Sequence, residues 1–321
     1  MSSYIIRRLL QIIPVFLGIM VILFLIIELA PGDASTNFID PRMRPEQRAE
    51  IAERFGLNEP LHTRFLLWFT NFLQGDFGMS MRYRRPVISV LQPMITPTLM
   101  LMSLSMLFSI IVGIPAGIIS ATKQYSIADN SLTVFSLIGI SMPSFFFALL
   151  LLWFFSVELQ WFPLFGLRDP LYRPPNVFAG AMHTLHHLVL PVIVVGMGST
   201  ATFMRYTRSS MLEVIKSDYI RTARAKGLKE KVVIYRHALR NAMLPIITML
   251  GFMIPGLLSG AVITESIFSI PGLGRTALEA INFRDIPIIL AINSMLAMLT
   301  LLSTLIADMM YAVADPRIKY N

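Results

Sequence analysis

The 321-residue chain contains no cysteine, which excludes disulfides, thiolate metal sites and cysteine nucleophiles. Charge is also scarce: Asp, Glu, Lys and Arg make up 14%, against roughly 25% in ordinary soluble domains. With 55% hydrophobic residues, so few charges cannot cover the surface of a soluble globular fold, and that class is excluded. No G-x-x-x-x-G-K-S/T run occurs, which excludes a phosphate-binding P-loop on this chain. No nucleophile–base pair or carboxylate dyad stands out either, so an enzyme reading has no residues to name.

What is present is apolar and long. A membrane helix needs about 20 mostly apolar residues. Six runs meet that length: Leu9–Ala30, Thr98–Ser120, Leu132–Val157, His187–Thr207, Met243–Phe268 and Pro287–Val313. The first is longer than the 7–15 residues of a signal-peptide core, and it ends in a poor cleavage site, Leu29-Ala30-Pro31-Gly32-Asp33. It reads as a retained span. The expected architecture is therefore an all-α integral membrane protein with six transmembrane helices.

Lysine and arginine placement sets the orientation. Arg7 and Arg8 put the N-terminus in the cytoplasm, and six spans return the C-terminus there. All six lysines then fall on cytoplasmic segments, while eight outer arginines fall in the long segment 31–94, which is exempt from the rule. The expected location is the cytoplasmic membrane, in contact with the lipid bilayer.

The formal net charge of +8 has one main source. Arg205–Asn241 holds ten basic and three acidic residues, an excess of +7. Nucleic-acid binding is not favoured, because a stacking surface of interleaved aromatics is absent from this loop. A positive-inside loop near anionic lipid explains the charge but not the helix–break–helix pattern of the other residues. Ser217 or Asp218 is placed to cap a short helix, Tyr219–Lys226, with Arg224 and Lys226 opposing the dipole of its last turn. Gly227 stands where a left-handed residue would end it, and a second run, Lys229–Arg240, leads into the fifth span. So short a helix between two spans is expected to dock onto another subunit rather than bury itself in its own.

These residues carry a resemblance. Asp218-Tyr219-Ile220-Arg221-Thr222-Ala223-Arg224-Ala225-Lys226-Gly227-Leu228, with His237-Ala238-Leu239-Arg240-Asn241, resembles the "EAA" coupling loop of binding-protein-dependent ABC importers. In its detail it is similar to the B-type permease subunit of the oligopeptide/dipeptide branch. Arg221 and Thr222 replace the E and first A of the general pattern, and His237 and Arg240 replace its I and P. Ala223, Gly227 and Leu239 keep its second A, G and L. Further matches are Tyr4-Ile5-Ile6-Arg7-Arg8, Ala30-Pro31-Gly32-Asp33, Gly56-Leu57-Asn58-Glu59-Pro60 and Gly75-Asp76-Phe77-Gly78. Toward the other end come Glu265-Ser266-Ile267-Phe268, Pro271-Gly272-Leu273-Gly274, Arg284-Asp285 and Asp315-Pro316-Arg317.

The resemblance implies the type I ABC importer permease fold and transport of oligopeptides or dipeptides by alternating access. It implies a second homologous permease subunit, two ABC ATPase subunits holding ATP and Mg, and an extracytoplasmic peptide-binding protein. This chain would bind no cofactor. Relatives of the branch carry nickel or other small solutes, and an ion-coupled carrier or channel without ATPase partners is the competing class. The implied organisation is an N-terminus and first span over 1–30 and an extracytoplasmic helical cap over 31–94. A permease core over 95–313 would contain the coupling loop 208–242, with a cytoplasmic tail at 314–321.

Four smaller readings complete the sequence account. Glu28, Glu265 and Asp308 are charges at or near span ends, and Glu265 with Phe268, Pro271 and Gly272 is the candidate external gate. Gly113/Gly117 and Gly256/Gly260 are small-xxx-small pairs for close helix approach, and Pro115, Pro143 and Pro255 are candidate kinks. His183, His186 and His187 have ligand spacing, but no carboxylate lies close in sequence, so they read as structural rather than as a metal site or a membrane-embedded hydrolase. In 31–94, helices are expected at Pro45–Phe55 and Leu61–Leu73, stopped by Gly56 and Gly75 and shaping the outer mouth.

Overall fold

Prolines and glycines decide which apolar runs become continuous helices and which are broken. The computed structural model describes residues 2–29, 44–46, 59–253 and 256–314. Pro45–Phe55 lies mostly outside these residues. Ala30-Pro31-Gly32-Asp33, Gly56-Leu57-Asn58, Pro255, Asp315-Pro316-Arg317 and the Asp308 side chain lie wholly outside them.

The first helix, α1, is Ser2–Glu28 and α2 is Leu61–Leu73. The longest elements are α3, Val87–Thr122, and α6, Val177–Ile215. Between them lie α4, Ile127–Ser141, and α5, Ser144–Leu151, the latter running on as a π-helical turn over Leu152–Glu158. After α6 come α7, Asp218–Ala225, and α8, Leu239–Met253. The chain continues with α9, Gly256–Ser259, α10, Val262–Ile267, α11, Leu273–Asn282, and α12, Ile286–Ala314. Among the described residues the β structure consists of an isolated bridge, Met79 to Pro86.

Among the described residues, four helices are long and apolar enough to cross a bilayer: α1, α3, α6 and α12. The expected third span, Leu132–Val157, is not one helix. Its two halves, α4 and the α5 segment, meet at 108°. Proline disfavours the helical conformation for the residue before it. Met142, which precedes Pro143, is accordingly extended (φ −78°, ψ 125°). The expected fifth span, Met243–Phe268, is interrupted as well, between α9 and α10, where Gly260 is left-handed at φ +72°; residues 254 and 255 lie outside the described residues.

The second span starts well before Thr98. Its helix α3 has 36 residues and runs through Pro93, Pro97 and Pro115 without interruption. At about 1.5 Å per residue it reaches about 54 Å, beyond the roughly 30 Å of a hydrocarbon core. α3 and α6 form the backbone of the bundle, and their contact explains one glycine pair. A Cβ at Gly113 would stand 2.7 Å from the Thr200 carbonyl oxygen, and one at Gly117 2.6 Å from that of Met204. Ser109 seals the approach by donating its hydroxyl to the Gly196 carbonyl at 2.8 Å. The other pair does not act this way. A Cβ at Gly256 would meet nothing within 4 Å, while Gly260 is a chain turn where a Cβ would stand 2.9 Å from the Gly274 backbone nitrogen at the start of α11.

The Leu61–Leu73 helix forms as expected, but α2 lies along the side of α1. Phe24 packs on Phe65 and Trp68, and Phe16 on Phe69 and Phe72, so the two helices run antiparallel. Arg64 is hydrogen-bonded to Glu28 at the end of α1. Three apolar clusters fill the bundle. Leu101, Leu151, Leu188 and Phe268 belong to one, while Val87, Leu273 and Ile288 lie in a second at the α11 end. Ile118, Met211, Ile220 and Ala242 form a third at the α7 end.

Candidate coupling and gate sites

At the α7 end, one helix presents two different faces. Ile220 is fully buried and Ala223 nearly so, packed with Ile118, Met211, Val233 and Ala238. The expectation that this helix buries nothing in its own subunit is therefore corrected: its apolar side is seated on α3, α6 and the start of α8. Tyr219, Arg221, Thr222, Arg224, Ala225 and Lys226 remain exposed, together with Asp218, Gly227 and Leu228.

Its ends are built differently from each other. Ser217 holds the N-cap position, but its hydroxyl donates to the Val214 carbonyl at 2.6 Å and makes no capping bond. Asp218 is instead the first helical residue, 3.5 Å from Arg221. At the other end Gly227 is left-handed at φ +75°. The Gly227 N–H donates to the Arg224 carbonyl at 2.9 Å, and the Leu228 N–H to that of Ala223 at 3.4 Å. This pair of bonds is a Schellman motif, for which a C′ glycine is favoured.

Past the turn, the chain is tied back to the helix. Arg224 donates twice to Glu230, at 2.7 and 3.1 Å, and this holds the Glu230 carboxyl below its ordinary pKa. A single helical turn, Glu230–Val232, and a π-helical turn, Val233–Ala238, then lead without a gap into α8. Asn241 Nδ2 donates to the Tyr219 hydroxyl at 3.0 Å and to the His237 carbonyl at 3.3 Å. Arg240 is exposed beside them. Displacement of α7 is thus mechanically connected to α8.

At the opposite end, Glu265 of α10 is fully buried. Its Oε1 accepts from the Thr98 hydroxyl at 2.9 Å and its Oε2 from the Arg275 backbone N–H, also at 2.9 Å. Arg275 is the third residue of α11, so the carboxylate satisfies one of that helix's orphan N–H groups in place of a local cap. Thr98 in turn accepts from the Leu273 N–H at 2.8 Å. Gly272 closes the nest, because a Cβ there would stand 2.4 Å from the Glu265 carboxylate and 2.6 Å from Thr98 Oγ1. Phe268 is buried, and its carbonyl accepts from the Gly166 N–H at 2.7 Å. Pro271 is exposed. The structure therefore brings Glu265, Phe268 and Gly272 into one unit, with Thr98 as the member the sequence did not reveal.

The three histidines hold the loop that meets Phe268. His183 Nε2 accepts from the Asp169 N–H at 3.1 Å, and its ring stacks on Tyr172 at 4.1 Å. The rings of His186 and His187 bond the carbonyls of Trp161 and Gly166, at 2.9 and 3.1 Å. Among the described residues no group of three or more His, Asp or Glu is arranged to hold a metal ion.

Two further acids are buried: Asp285, part of the Arg284-Asp285 match, and Asp129, which nothing in the sequence marked. Asp129 of α4 receives two bonds from Arg208 of α6, both 2.9 Å, and is also bonded by Ser120 of α3 and the Tyr125 N–H. Asp285 receives the Ser80 hydroxyl at 2.5 Å and the Arg82 N–H at 3.1 Å, anchoring the Met79–Pro86 hairpin to the α11–α12 junction. Between the two ends, a cavity of about 630 Å³ lies among the α4–α5 break, the middle of α6 and α10.

Long apolar helices, a short basic helix linked to the next span and a buried latch at the other end define a membrane permease with the type I ABC importer fold. A chain of the inward-facing MetNI methionine ABC transporter has that fold, with a TM-score of 0.52 and 15% identity, covering 71% of this chain and 97% of its own. The chain belongs to the binding-protein-dependent transport system inner membrane component family: residues 113–320 match that family, and 1–102 match its N-terminal companion. It is 43% identical over 321 residues to the oligopeptide transport system permease protein AppB of Bacillus subtilis, with both chains covered in full. It is 42% identical over 333 residues to the dipeptide transport system permease protein DppB of Alkalihalophilus pseudofirmus, again over both full lengths. The resemblance to the oligopeptide/dipeptide branch is borne out.

Proposed function

We propose that this chain is one permease subunit of an ABC importer that moves oligopeptides or dipeptides across the cytoplasmic membrane by alternating access. A second homologous permease completes the pathway, two ATPase subunits hold ATP and Mg and supply the work, and an extracytoplasmic binding protein delivers the peptide. The observation that carries this reading is the full-length similarity to two peptide permeases, joined to a basic helix that is mechanically linked to the following span.

In this reading there are six crossings, the third and fifth of them broken, with both termini cytoplasmic. The positive-inside distribution of lysine supports that orientation. Residues 1–30 form the N-terminus and first span, 31–94 the extracytoplasmic segment, 95–313 the core and 314–321 the tail. The coupling surface within 208–242 comprises Asp218, Tyr219, Arg221, Thr222, Ala223, Arg224, Ala225, Lys226, Gly227, Leu228, His237 and Arg240. Ala223 acts from the buried side by seating the helix, while the exposed residues meet the ATPase. Closure of the nucleotide sites displaces α7, and α8 carries that displacement into the bundle. Glu265, Phe268, Pro271 and Gly272 form the external gate, held shut by the carboxylate latch on α11.

Uptake into vesicles carrying the complete importer, competed by a panel of dipeptides and oligopeptides beside a nickel control, tests the substrate. Competition by peptides and none by nickel is the expected result. Competition by nickel alone would overturn the peptide assignment.

A further inference from the structure

The cavity between the α4–α5 break, α6 and α10 has a lining of unusual uniformity. Gly139, Met142, Met197, Gly198, Thr202 and Ile263 face it, and among the described residues none that lines it is ionisable. Across Val195 of α6, a second cavity of about 220 Å³ carries Met102, Met106 and Met253 with Ser105 and Ser199, again without a charge. The first cavity falls within the roughly 300–1,000 Å³ of typical small-ligand sites, enough for a few residues of a peptide. It also touches the gate helix: Ile263 and Thr264 line it, and Glu265 follows immediately in sequence.

Three features define what such a lining accepts. Fixed charges would select side chains by Coulomb energy, and this chain's described lining carries none. Methionine is unbranched and polarisable, so it repacks around different shapes. Met142 lies at the non-helical joint between α4 and α5, and Met197 packs over Gly139, 3.2 Å from where a Cβ would be. Gly198 leaves open space, since a Cβ there would meet nothing within 4 Å.

We propose that this cavity seats the side chains of the peptide in transit, and that its uncharged lining, with Met142 and Met197 as adaptable contacts, makes the permease accept side chains of either charge. The proposal rests on the peptide-importer reading and deepens it: discrimination by charge is left to the delivering protein. A single charge placed in the lining creates selectivity where there was none. At about 10 Å and an effective dielectric of about 20, one unit charge changes relative occupancy by roughly tenfold.

The test uses vesicles with the complete importer and three tripeptides, Ala-Glu-Ala, Ala-Ala-Ala and Ala-Lys-Ala, with each variant's uptake ratios divided by those of wild type so that delivery cancels. Gly198→Asp is expected to lower Glu-peptide uptake about tenfold relative to the Ala-peptide and to raise Lys-peptide uptake by a similar factor, and Gly198→Lys to do the reverse. Gly198→Asn adds bulk without charge and sets the reference ratio. Thr202→Glu and Thr202→Lys repeat the comparison from another lining position should a Gly198 variant fail to assemble. Ratios unchanged by charge at both positions overturn the cavity assignment while leaving the peptide reading intact. A wild-type importer that hydrolyses ATP but takes up none of the three overturns both.

Discussion

The Asn241 side chain donates a 3.0 Å hydrogen bond to the Tyr219 hydroxyl, joining the exposed face of α7 to the first turn of α8. Together with the Arg224–Glu230 pair, it closes a rigid bracket around the turn at Gly227. A helix seated by Ile220 and Ala223 and braced on its outer side moves with the bundle instead of independently of it. In the proposed importer, that bracket converts ATPase motion into movement of a span.

Gly227→Val tests the turn. Nothing lies within 4 Å of a Cβ at this position, so the variant meets no clash, only the left-handed backbone. Such a residue costs roughly 1–2 kcal/mol for an L side chain, which reshapes the turn without threatening insertion. Membrane insertion and complex assembly are expected to stay at wild-type levels while the peptide transported per ATP hydrolysed falls. The two quantities are read by quantitative immunoblot and by parallel uptake and phosphate-release assays.

The Glu230 carboxyl has a defined pH response. Its pKa is lowered by the hydrogen bonds from Arg224, so its contribution to the bracket is complete above the ordinary glutamate value of about 4.3. That contribution is lost only as pH falls through the lower folded value. Protection of the α7–α8 turn against hydrogen exchange, corrected for intrinsic rates, is expected to be level from pH 8 to about 5 and to decline below about 4. In Glu230→Gln the protection is lower and does not change across this range.

Gly272→Ala tests the latch. The added methyl occupies the space of the Glu265 carboxylate, so the carboxylate must leave Thr98 and the α11 N–H group. Overpacking costs roughly 1–3 kcal/mol, and an unsatisfied buried donor adds a comparable amount. The expected outcome is a lower thermal midpoint in detergent and a raised ATP-independent leak of peptide from loaded vesicles. Thr98→Val, which removes the hydroxyl at nearly constant volume, should show the same direction with a smaller shift.

Buried Asp129 and the partly exposed Arg208, with Ser120, join α3, α4 and α6. Arg208→Ala leaves the carboxylate without its cation, and such losses cost roughly 3–5 kcal/mol. Adding Asp129→Asn should recover part of that loss, since the lone charge is removed. A double-mutant cycle on thermal unfolding in detergent measures the recovery.

Much of this organisation was legible in the sequence because it is periodic or local. Length and hydropathy located α1, α3, α6 and α12, and the helix–break–helix pattern located α7 and its terminal glycine. The third span breaks at Pro143, which the sequence marks as a candidate kink, although hydropathy gives no sign of a 108° bend there; the left-handed turn at Gly260 in the fifth span was hidden, because hydropathy does not register backbone conformation. The seating of Ile220 was missed because its neighbours Ile118 and Met211 lie on other helices. The same holds for the two buried polar units: Asp129 meets an arginine 79 residues away, and Glu265 a threonine 167 residues away. Sequence resemblance marked Glu265 as notable, and only the fold shows why it is held there.

The most direct test of the central claim is initial peptide uptake into vesicles, measured with the complete importer and with the two permeases alone, with and without ATP. Uptake is expected only when the ATPase subunits and ATP are both present, with no response to an imposed proton or sodium gradient. Gradient-driven uptake by the permeases alone would contradict it.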